Sequence, residues 1–495
     1  MSTSGTLTLA DLIAGLADEP LALDGLPRVE IRSAVIDSRL AAPGCLFVAL
    51  PGERRDGHEF IAEAVASGAR AIVAERAPEA GLCTVLDTTL EGWQSGLSER
   101  DWSKPACLLV PDSLAGLQGL AAFWRRQHDV RVIGITGSIG KTTSKEVIAA
   151  ILGQRYRTLK SEGNYNNEIG LPLTLLHLTA GHERVVLEMG MYDVGEIAEL
   201  AEIALPQVGV LTNVGPSHLE RLGTIERIAQ AKAELPQALP PANEGGVAIL
   251  NADDEWVKAM ANQTQAAVFT YGLTPDATLW ADEVESEGLE GIRFRLHYGH
   301  DVVHIRVPML GRHSVHTALR ATAAGLVEDL SWAEIIAGLR EQSAQLRLVA
   351  VAGPAGSTIL DDTYNSSPAS CLAALTLLNE LGDHEAGGRR IAVLGDMYEL
   401  GSYEEEGHRI VGRRIQGVAD ILVTVGQLGR IIAEEALETG MTSSTVYSVE
   451  TNAQAIELLS ALIQAGPTGD KILVKGSRGL RMEEIVAALQ EGDIK

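Results

Sequence analysis

Short, continuously apolar runs alternate with amphipathic stretches along most of the chain. Cys45 to Leu50 is apolar throughout and predicts a strand. Phe60 to Ala66 starts a helix that Gly68 stops, and Ala71 to Ala74 predicts another strand. Gly81 to Lys104 is rich in turn and polar residues and reads as an edge region or linker. A helix over Leu114 to His128 then leads into an apolar run ending at Thr136, and a second helix carries Val147, Ile148, Ile151 and Leu152. Arg184 to Glu188, Gln207 to Thr212 and Gly246 to Leu250 predict buried strands, with a helix from Thr224 to Leu239 between the last two. From Ala277 to Pro308 the period changes to two (Ile292, Phe294, Leu296; Val303, Ile305, Val307), as in antiparallel strands. Helices are expected over Val315 to Val327 and Trp332 to Leu339. Further on, strands are expected at Thr358 to Leu360, Arg390 to Leu394, Ile421 to Val425 and Lys471 to Val474, with helices between them. Ser367-Pro368 reads as an N-cap followed by proline at the first helical position.

This β-α-β-α alternation predicts an α/β protein with a central doubly wound, mostly parallel sheet. A small N-terminal α/β domain precedes it and a C-terminal Rossmann-like α/β domain follows. The expected divisions are 1–105, 106–344 and 345–495, and a chain of 495 residues is too long for one ordinary core. Ligands of such sheets sit at the carboxyl ends of the strands.

Composition narrows the class. Hydrophobic residues make up 46% and charged residues 21%, as in globular proteins, and no apolar run is long enough to span a membrane. The N-terminal stretch has no basic segment before its apolar residues, so no signal peptide is expected. Cys45, Cys83, Cys107 and Cys371 are scattered without a C-x-x-C, which suits reduced thiols in a cytoplasm and offers no zinc site. A net charge of −26 argues against a nucleic-acid surface but leaves room for local pockets for small anions.

The candidate chemistry centres on V-I-G-I-T-G-S-I-G-K-T-T-S-K, Val132 to Lys145. Strand, tight turn (Gly137-Ser138-Ile139-Gly140) and helix (opened by Lys141-Thr142-Thr143) follow in the order of a phosphate cradle. Lys141 is placed to reach outer phosphates and Thr142 to face Mg²⁺. The spacing departs from G-x-x-x-x-G-K, since Ile135 stands where the first glycine is usual. Glu188 and Asn213 fall at strand ends beside the loop. Glu188 and His218, on successive crossovers, are suited to hold a divalent cation, although a histidine is as readily a core or surface residue. Lys232 lies in a polar-apolar helix where a solvated lysine is the default. His313 and His316 have i, i+3 spacing with no third ligand nearby and read as surface at a helix start. Asp37, Ser38 and Arg39 end a strand together, as a ligand contact or as a solvated turn. Ser161 to Pro172 is an Asn- and Gly-rich loop presenting amides, and Asp396 and Glu399 follow a strand end in the last domain.

G-S-I-G-K-T-T, N-Y-N-N-E-I-G, L-E-M-G, L-T-N-V-G-P-S-H-L-E, A-K-A-E and G-R-H together resemble the Mur ligase family, ATP-dependent amide-forming enzymes of bacterial cell-wall precursor synthesis. D-S-R, P-G-x-L-F-V-A-L and D-G-H-x-F-I near the N-terminus narrow the resemblance, as do D-D-T-Y-N-S-S-P, V-L-G-D-M-Y-E-L-G and V-K-G-S-R-G in the last domain. They point to the member that joins D-alanyl-D-alanine to UDP-N-acetylmuramoyl-tripeptide. The resemblance implies ATP and Mg²⁺ at Gly137, Ser138, Gly140, Lys141, Thr142 and Thr143, with Asn213 beside them. It implies a second Mg²⁺ near Glu188 and His218, and a Lys232 carbamylated by CO₂. Arg347 and Asp362 match nucleotide contacts from the third domain, and Ser38 and Arg39 match the grip on the UDP-sugar. Asn164 and Asn167 match the loop near the muramoyl substrate, while Asn365 and Asp396 lie in the loops expected to choose the dipeptide. One motif departs: the family's H-N-x-x-N-A reads His313-Ser314-Val315-His316-Thr317-Ala318, so Thr317 offers one hydroxyl where the family's asparagine contacts adenine. A monomer is expected.

Two other functions compete. The preceding ligase, which adds the third amino acid, carries D-N-P-R in its diaminopimelate form; the corresponding loop here is Tyr364-Asn365-Ser366-Ser367-Pro368. A nucleotide-dependent binding protein without ligase activity leaves the N-terminal domain unexplained.

Overall fold

The computed structural model describes residues 6–17, 26–52, 55–217, 219–341, 348–382 and 388–491. His218 and Arg347 lie outside the described residues, as does the expected junction at 344/345.

Three sheets carry the chain. The first has five parallel strands in the order Ser33–Val35, Cys45–Val48, Ala71–Ala74, Ala106–Leu109, Thr84–Asp87. The expected division at 105/106 therefore falls at a strand of this sheet: Ala106–Leu109 pairs with Ala71–Ala74 on one side and Thr84–Asp87 on the other. The stretch read as an edge or linker does supply the edge strand, Thr84–Asp87. The helix Ser113–Arg126 follows, capped by the Asp112 carboxylate, which accepts from the amides of Leu114 and Ala115 at 2.8 and 2.9 Å. Its buried face (Leu117, Leu120, Ala121, Trp124) joins the N-terminal sheet to the central domain in one apolar cluster.

The central sheet has nine strands. Their order is Asp301–Val307, Ile292–Tyr298, Leu279–Ser286, Ala267–Gly272, Val247–Asn251, Val208–Leu211, Arg131–Thr136, Arg184–Glu188, Thr158–Lys160. Only the two pairings among Leu279–Ser286, Ile292–Tyr298 and Asp301–Val307 are antiparallel, as their alternating pattern predicts. Arg131–Thr136 lies between Val208–Leu211 and Arg184–Glu188. Later strands therefore run outward on both sides of it, and the crevice at its carboxyl end is the topological switch point, where such sheets take ligands. The helices Lys141–Leu152 and Val315–Val327 pack together over one face, their Ile148, Ile151, Leu319 and Ala323 sharing a cluster with the sheet.

The third sheet runs Val349–Ala352, Thr358–Asp362, Lys471–Lys475, Arg390–Gly395, Ile421–Val425, Val446–Val449, with only the first pairing antiparallel. Ser367 caps the helix Pro368–Leu381 through the amide of Ser370, with proline at N1 as expected. The third domain touches the second beside the helix Leu219–Leu222, where a Cβ on Gly401 would lie 2.6 Å from the Cα of Glu220.

Candidate active site at the phosphate loop

The apolar strand Arg131–Thr136 stops at Gly137, whose φ of +146° only glycine adopts readily. A Cβ there would lie 1.8 Å from the Thr212 hydroxyl oxygen, so the loop lies hard against the neighbouring strand end. It is pinned there by hydrogen bonds. The Ser138 amide donates to the Asn213 carbonyl at 2.9 Å, and the Ile139 amide to Asn213 Oδ1 at 2.9 Å. The Thr212 hydroxyl donates to the Ile139 carbonyl at 2.7 Å, and the Ser138 hydroxyl to the Gly215 carbonyl at 3.0 Å. Asn213 thus acts as a brace for the loop. Gly140 is the N-cap of the helix Lys141–Leu152, which aims its N-terminal amides and partial positive charge at the turn. Lys141 Nζ donates to the Gly137 carbonyl at 2.8 Å, and Thr143 completes the first helical turn.

Thr142 and Glu188, expected on the metal side, meet. The Thr142 hydroxyl donates to Glu188 Oε2 at 2.6 Å, and Glu188 is the last residue of its strand and 1% exposed. Its other oxygen accepts from Asn166 Nδ2 at 2.8 Å. Hydroxyl and carboxylate together form a hard oxygen donor set of the kind Mg²⁺ takes, and these two residues fit that ion. Among the described residues there is no cluster of three or more His, Cys, Asp or Glu side chains able to hold a metal.

Lys232 is not the solvated lysine that such a helix has by default. It is 2% exposed, and no described residue bonds or pairs with its ammonium. Burial, and next the charge of Lys141, hold its pKa well below the usual lysine range. The helix Ile225–Gln237 turns the face bearing Ile228, Ala231, Lys232 and Leu235 inward, which the A-Q-A-K-A-E pattern alone does not reveal.

The Asn-rich loop closes the site. Lys145 Nζ donates to the Gly163 carbonyl at 3.0 Å and the Gly190 amide to the Asn166 carbonyl at 2.7 Å, fixing the loop to the loop helix and to the L-E-M-G turn. Asn167 Oδ1 accepts from the Gly170 amide at 3.0 Å, while Asn164 is exposed. A cavity of about 180 Å³ opens here, its wall including Lys141, Asn166, Asn167, Gly190 and Tyr192. Glu399 of the third domain is close enough to Tyr192 for its charge to help raise the phenol pKa, after burial.

Other candidates lie apart from this cluster. The Ser38 hydroxyl donates to Glu63 Oε2 at 3.0 Å, and Arg39 is exposed and forked onto Asp37. In the third domain Asp362 is paired with Lys475 at 2.7 Å, and Lys475 also donates to the Asn365 carbonyl at 2.9 Å. Asp396 is 5% exposed and accepts from the Gly429 amide at 2.8 Å, capping the start of Gly429–Glu438. Its carboxylate thus serves its own domain. His316, at the helix start, meets Asp253 Oδ2 through Nε2 at 2.8 Å, while burial, against the opposing charge of Asp362, holds the His313 imidazole below its usual range. Thr317 is buried and accepts from Arg320 Nη2 at 3.1 Å.

Asn166 and Arg320 were missed by the sequence reading. Asn166 sits among similar residues and only its geometry singles it out. Arg320 had a signal: it is the one charged residue within Ala318 to Leu326, a stretch apolar but for it and Thr322.

Known proteins are similar to this chain in sequence and fold. The Mur ligase family catalytic domain matches residues 30–89, the Mur ligase middle domain 135–325, and the Mur ligase glutamate ligase domain 346–478. The UDP-N-acetylmuramoyl-tripeptide–D-alanyl-D-alanine ligase of Bacillus subtilis (strain 168) is 37% identical, over 97% of this chain and 98% of its own length. Crystal structure I of MurF from Acinetobacter baumannii is 31% identical with a TM-score of 0.82, covering 99% of this chain and 100% of that one. The MurF ligase of Thermotoga maritima, solved in complex with ADP, is 27% identical with a TM-score of 0.75, covering 93% and 97%. With its three parts matched in order and relatives matched along nearly their full length, this chain belongs to the Mur ligase family.

Proposed function

We propose that the protein is the ATP-dependent ligase that joins D-alanyl-D-alanine to UDP-N-acetylmuramoyl-tripeptide through an acyl phosphate, in peptidoglycan precursor synthesis. The observation that carries this is the junction of phosphate loop and Asn-rich loop at Glu188, which accepts from Thr142 on one oxygen and from Asn166 on the other, beside a cavity whose wall includes Lys141, Asn166 and Asn167. A relative matched end to end bears the same activity in its name.

A carboxylate does not condense with an amine at neutral pH, because oxide is too poor a leaving group. Transfer of the γ-phosphoryl to the tripeptide carboxylate breaks the bond to ADP and forms an acyl phosphate. The dipeptide amine then adds to the acyl carbon, loses a proton and expels phosphate. Such a transfer needs alignment and charge neutralisation more than covalent help. Gly137, Ser138 and Gly140 shape the cradle, Lys141 and the helix N-terminus neutralise phosphate oxygens, and Asn213 keeps the loop in shape. Thr142 and Glu188 would hold Mg²⁺, which supplies further charge compensation, and Asn166 orients Glu188.

Lys232 is read as carbamylated. Its neutral amine adds to CO₂; an N–C bond forms, one C=O becomes C–O⁻, and a proton leaves nitrogen. The anion then answers the charge of Lys141. Arg347 and Asp362 are assigned to the nucleotide, Ser38 and Arg39 to the UDP-sugar, and Asn164 and Asn167 to the muramoyl peptide. Asn365 is assigned to the dipeptide, and Asp396 supports that loop from within its domain. The reading assigns His218 to the metal. It also takes the protein as a cytoplasmic monomer, with closure of the third domain excluding water from the acyl phosphate. No described helix is long and apolar enough to cross a membrane.

The test is phosphate release from ATP with UDP-N-acetylmuramoyl-tripeptide, with and without D-alanyl-D-alanine. Release is expected to need both. If diaminopimelate with the UDP-muramoyl-dipeptide is the better pair, the enzyme is the preceding ligase. ATP hydrolysis without amide formation would remove the ligase assignment.

A further inference from the structure

Arg320 is an unusual residue to bury. It stands in the middle of the helix Val315–Val327 at 4% exposure, one turn after Thr317. Its guanidinium lies beside the phosphate loop: a Cβ on Gly140 would be 3.5 Å from Nη2 and 3.7 Å from Nη1. Nη2 donates to the Thr317 hydroxyl, whereas Nε and Nη1 are buried without a hydrogen-bond partner.

Buried cations are ordinarily paired with an acid, because an unpaired charge in low dielectric is costly. Arg320 has no carboxylate partner among the described residues. The phenol of Tyr271 lies under it, 5.9 Å from ring centroid to Cζ. Burial pushes that phenol up to about 12 against the opposing pull of Arg320, so it stays a neutral polar neighbour and offers no counter-charge. The two acids whose charges reach Tyr271, Asp253 and Asp254, are spoken for. Asp253 accepts from His316 and from the Leu273 amide, and Asp254 from the amides of Val214 and Val257. An arginine does not escape by losing its proton. Arg320 and Lys141 thus bring positive charge to the loop of a protein whose net charge is −26.

We infer that Arg320 is a fixed positive charge behind the phosphate loop, whose missing counter-ion is the polyphosphate of the bound nucleotide. It acts through the field at Gly140 and is a positioning residue for the nucleotide. The inference rests on the nucleotide-ligase reading only in taking the loop to hold phosphates. A dry, preoriented charge needs no reorganisation when the phosphates arrive, and low dielectric strengthens its field.

The experiment compares Arg320→Met, Arg320→Gln and Arg320→Lys with the parent enzyme. Calorimetry measures the binding of ADP and of pyrophosphate, and melting is followed with and without each. Both neutral variants are expected to bind pyrophosphate and ADP about tenfold or more weakly, the effect of one charge at several ångströms. They should melt, without nucleotide, at or above the parent temperature, because the unpaired buried charge is gone. Arg320→Lys should regain most of the affinity, and KM for ATP should rise more than kcat falls. Unchanged pyrophosphate affinity with a lowered melting temperature would make Arg320 a structural residue and overturn the inference. Failure of both neutral variants to fold would do the same. A changed ATP-to-GTP preference with unaltered pyrophosphate binding would move the guanidinium's role to the base, and the phosphate assignment would fall. Binding of ADP and pyrophosphate is read independently of ligation, so a failed ligase assay leaves this comparison intact.

Discussion

The hydroxyl of Thr142 donates to Oε2 of Glu188 across 2.6 Å. One residue opens the loop helix and the other ends the neighbouring strand, so the bond ties the phosphate cradle to the switch point of the sheet. Asn166 holds the second oxygen of the same carboxylate. The loop helix and the Asn-rich loop are thereby joined through one buried side chain. Glu188→Gln keeps the shape and removes the charge. It is expected to leave the fold intact, to lower kcat at least about 100-fold and to raise the Mg²⁺ concentration needed for half-activity. A magnesium titration of phosphate release that matches the parent would contradict the assignment.

Asn166→Ala tests the next residue outward. The amide touches Glu188 and not the loop, so its loss should let the carboxylate turn while the charge remains. A drop of about 10–100-fold is expected, partly recovered at high Mg²⁺ because the donor set itself is intact. Asn164→Ala, by contrast, removes an exposed side chain with no bond to Glu188 and should leave the Mg²⁺ dependence alone. Parallel titrations of the two variants separate these outcomes; equal Mg²⁺ curves would count against Asn166.

What was legible in the chain follows from burial. Arg184–Glu188, Ile421–Val425 and Val315–Val327 are read with correct bounds because sheet interiors and helix faces impose continuous or periodic apolarity. Among the strands that were missed, the short Thr158–Lys160, Val349–Ala352 and Val446–Val449 lie at sheet edges and hide little surface, and Ala267–Gly272 has exposed first residues. Ala106–Leu109 belongs to the first sheet through pairings with distant strands, which no local pattern carries. The site divides the same way. The phosphate loop is legible because backbone geometry demands glycine at set places. The inward turn of Lys232 and the choice of Asn166 among its neighbours are set by tertiary contacts.

Gly137→Ala probes the loop's contact with the next strand. The added methyl meets the Thr212 hydroxyl at 1.8 Å and the backbone must keep a φ of +146°. Strain of about 1–3 kcal/mol from the backbone alone is expected, with overpacking added. The loop should shift, the Thr212 and Asn213 bonds should loosen, and ADP affinity should fall together with the melting temperature. Thr212→Ser keeps the hydroxyl and does not relieve the clash. Calorimetry showing normal ADP binding by Gly137→Ala would mean that the loop adapts and that its close fit is not required.

The last prediction concerns Lys232. An ammonium buried at 2% exposure beside Lys141 is doubly disfavoured, first by desolvation and then by the like charge. Both lower its pKa, so a larger share of the amine is neutral at physiological pH than for a surface lysine, and only the neutral amine reacts with CO₂. The sign is definite. Acidification through the lowered pKa recharges the nitrogen and disfavours carbamylation, whereas raising the pH above it adds no further neutral amine. Stripping CO₂ from the buffer should therefore slow phosphate release, and bicarbonate should restore it. Lys232→Ala should lose about 100-fold or more in kcat if the carbamate orients the reacting phosphate's surroundings. Acetate, small enough to enter the vacated space and carrying the same carboxylate charge, should recover part of the rate in Lys232→Ala and none in the parent. Mass spectrometry after chemical trapping of the carbamate should show it on Lys232 in the parent alone. Full activity of Lys232→Ala without any added acid, or a parent enzyme indifferent to CO₂, would dispose of the modification and leave Lys232 as a neutral buried amine.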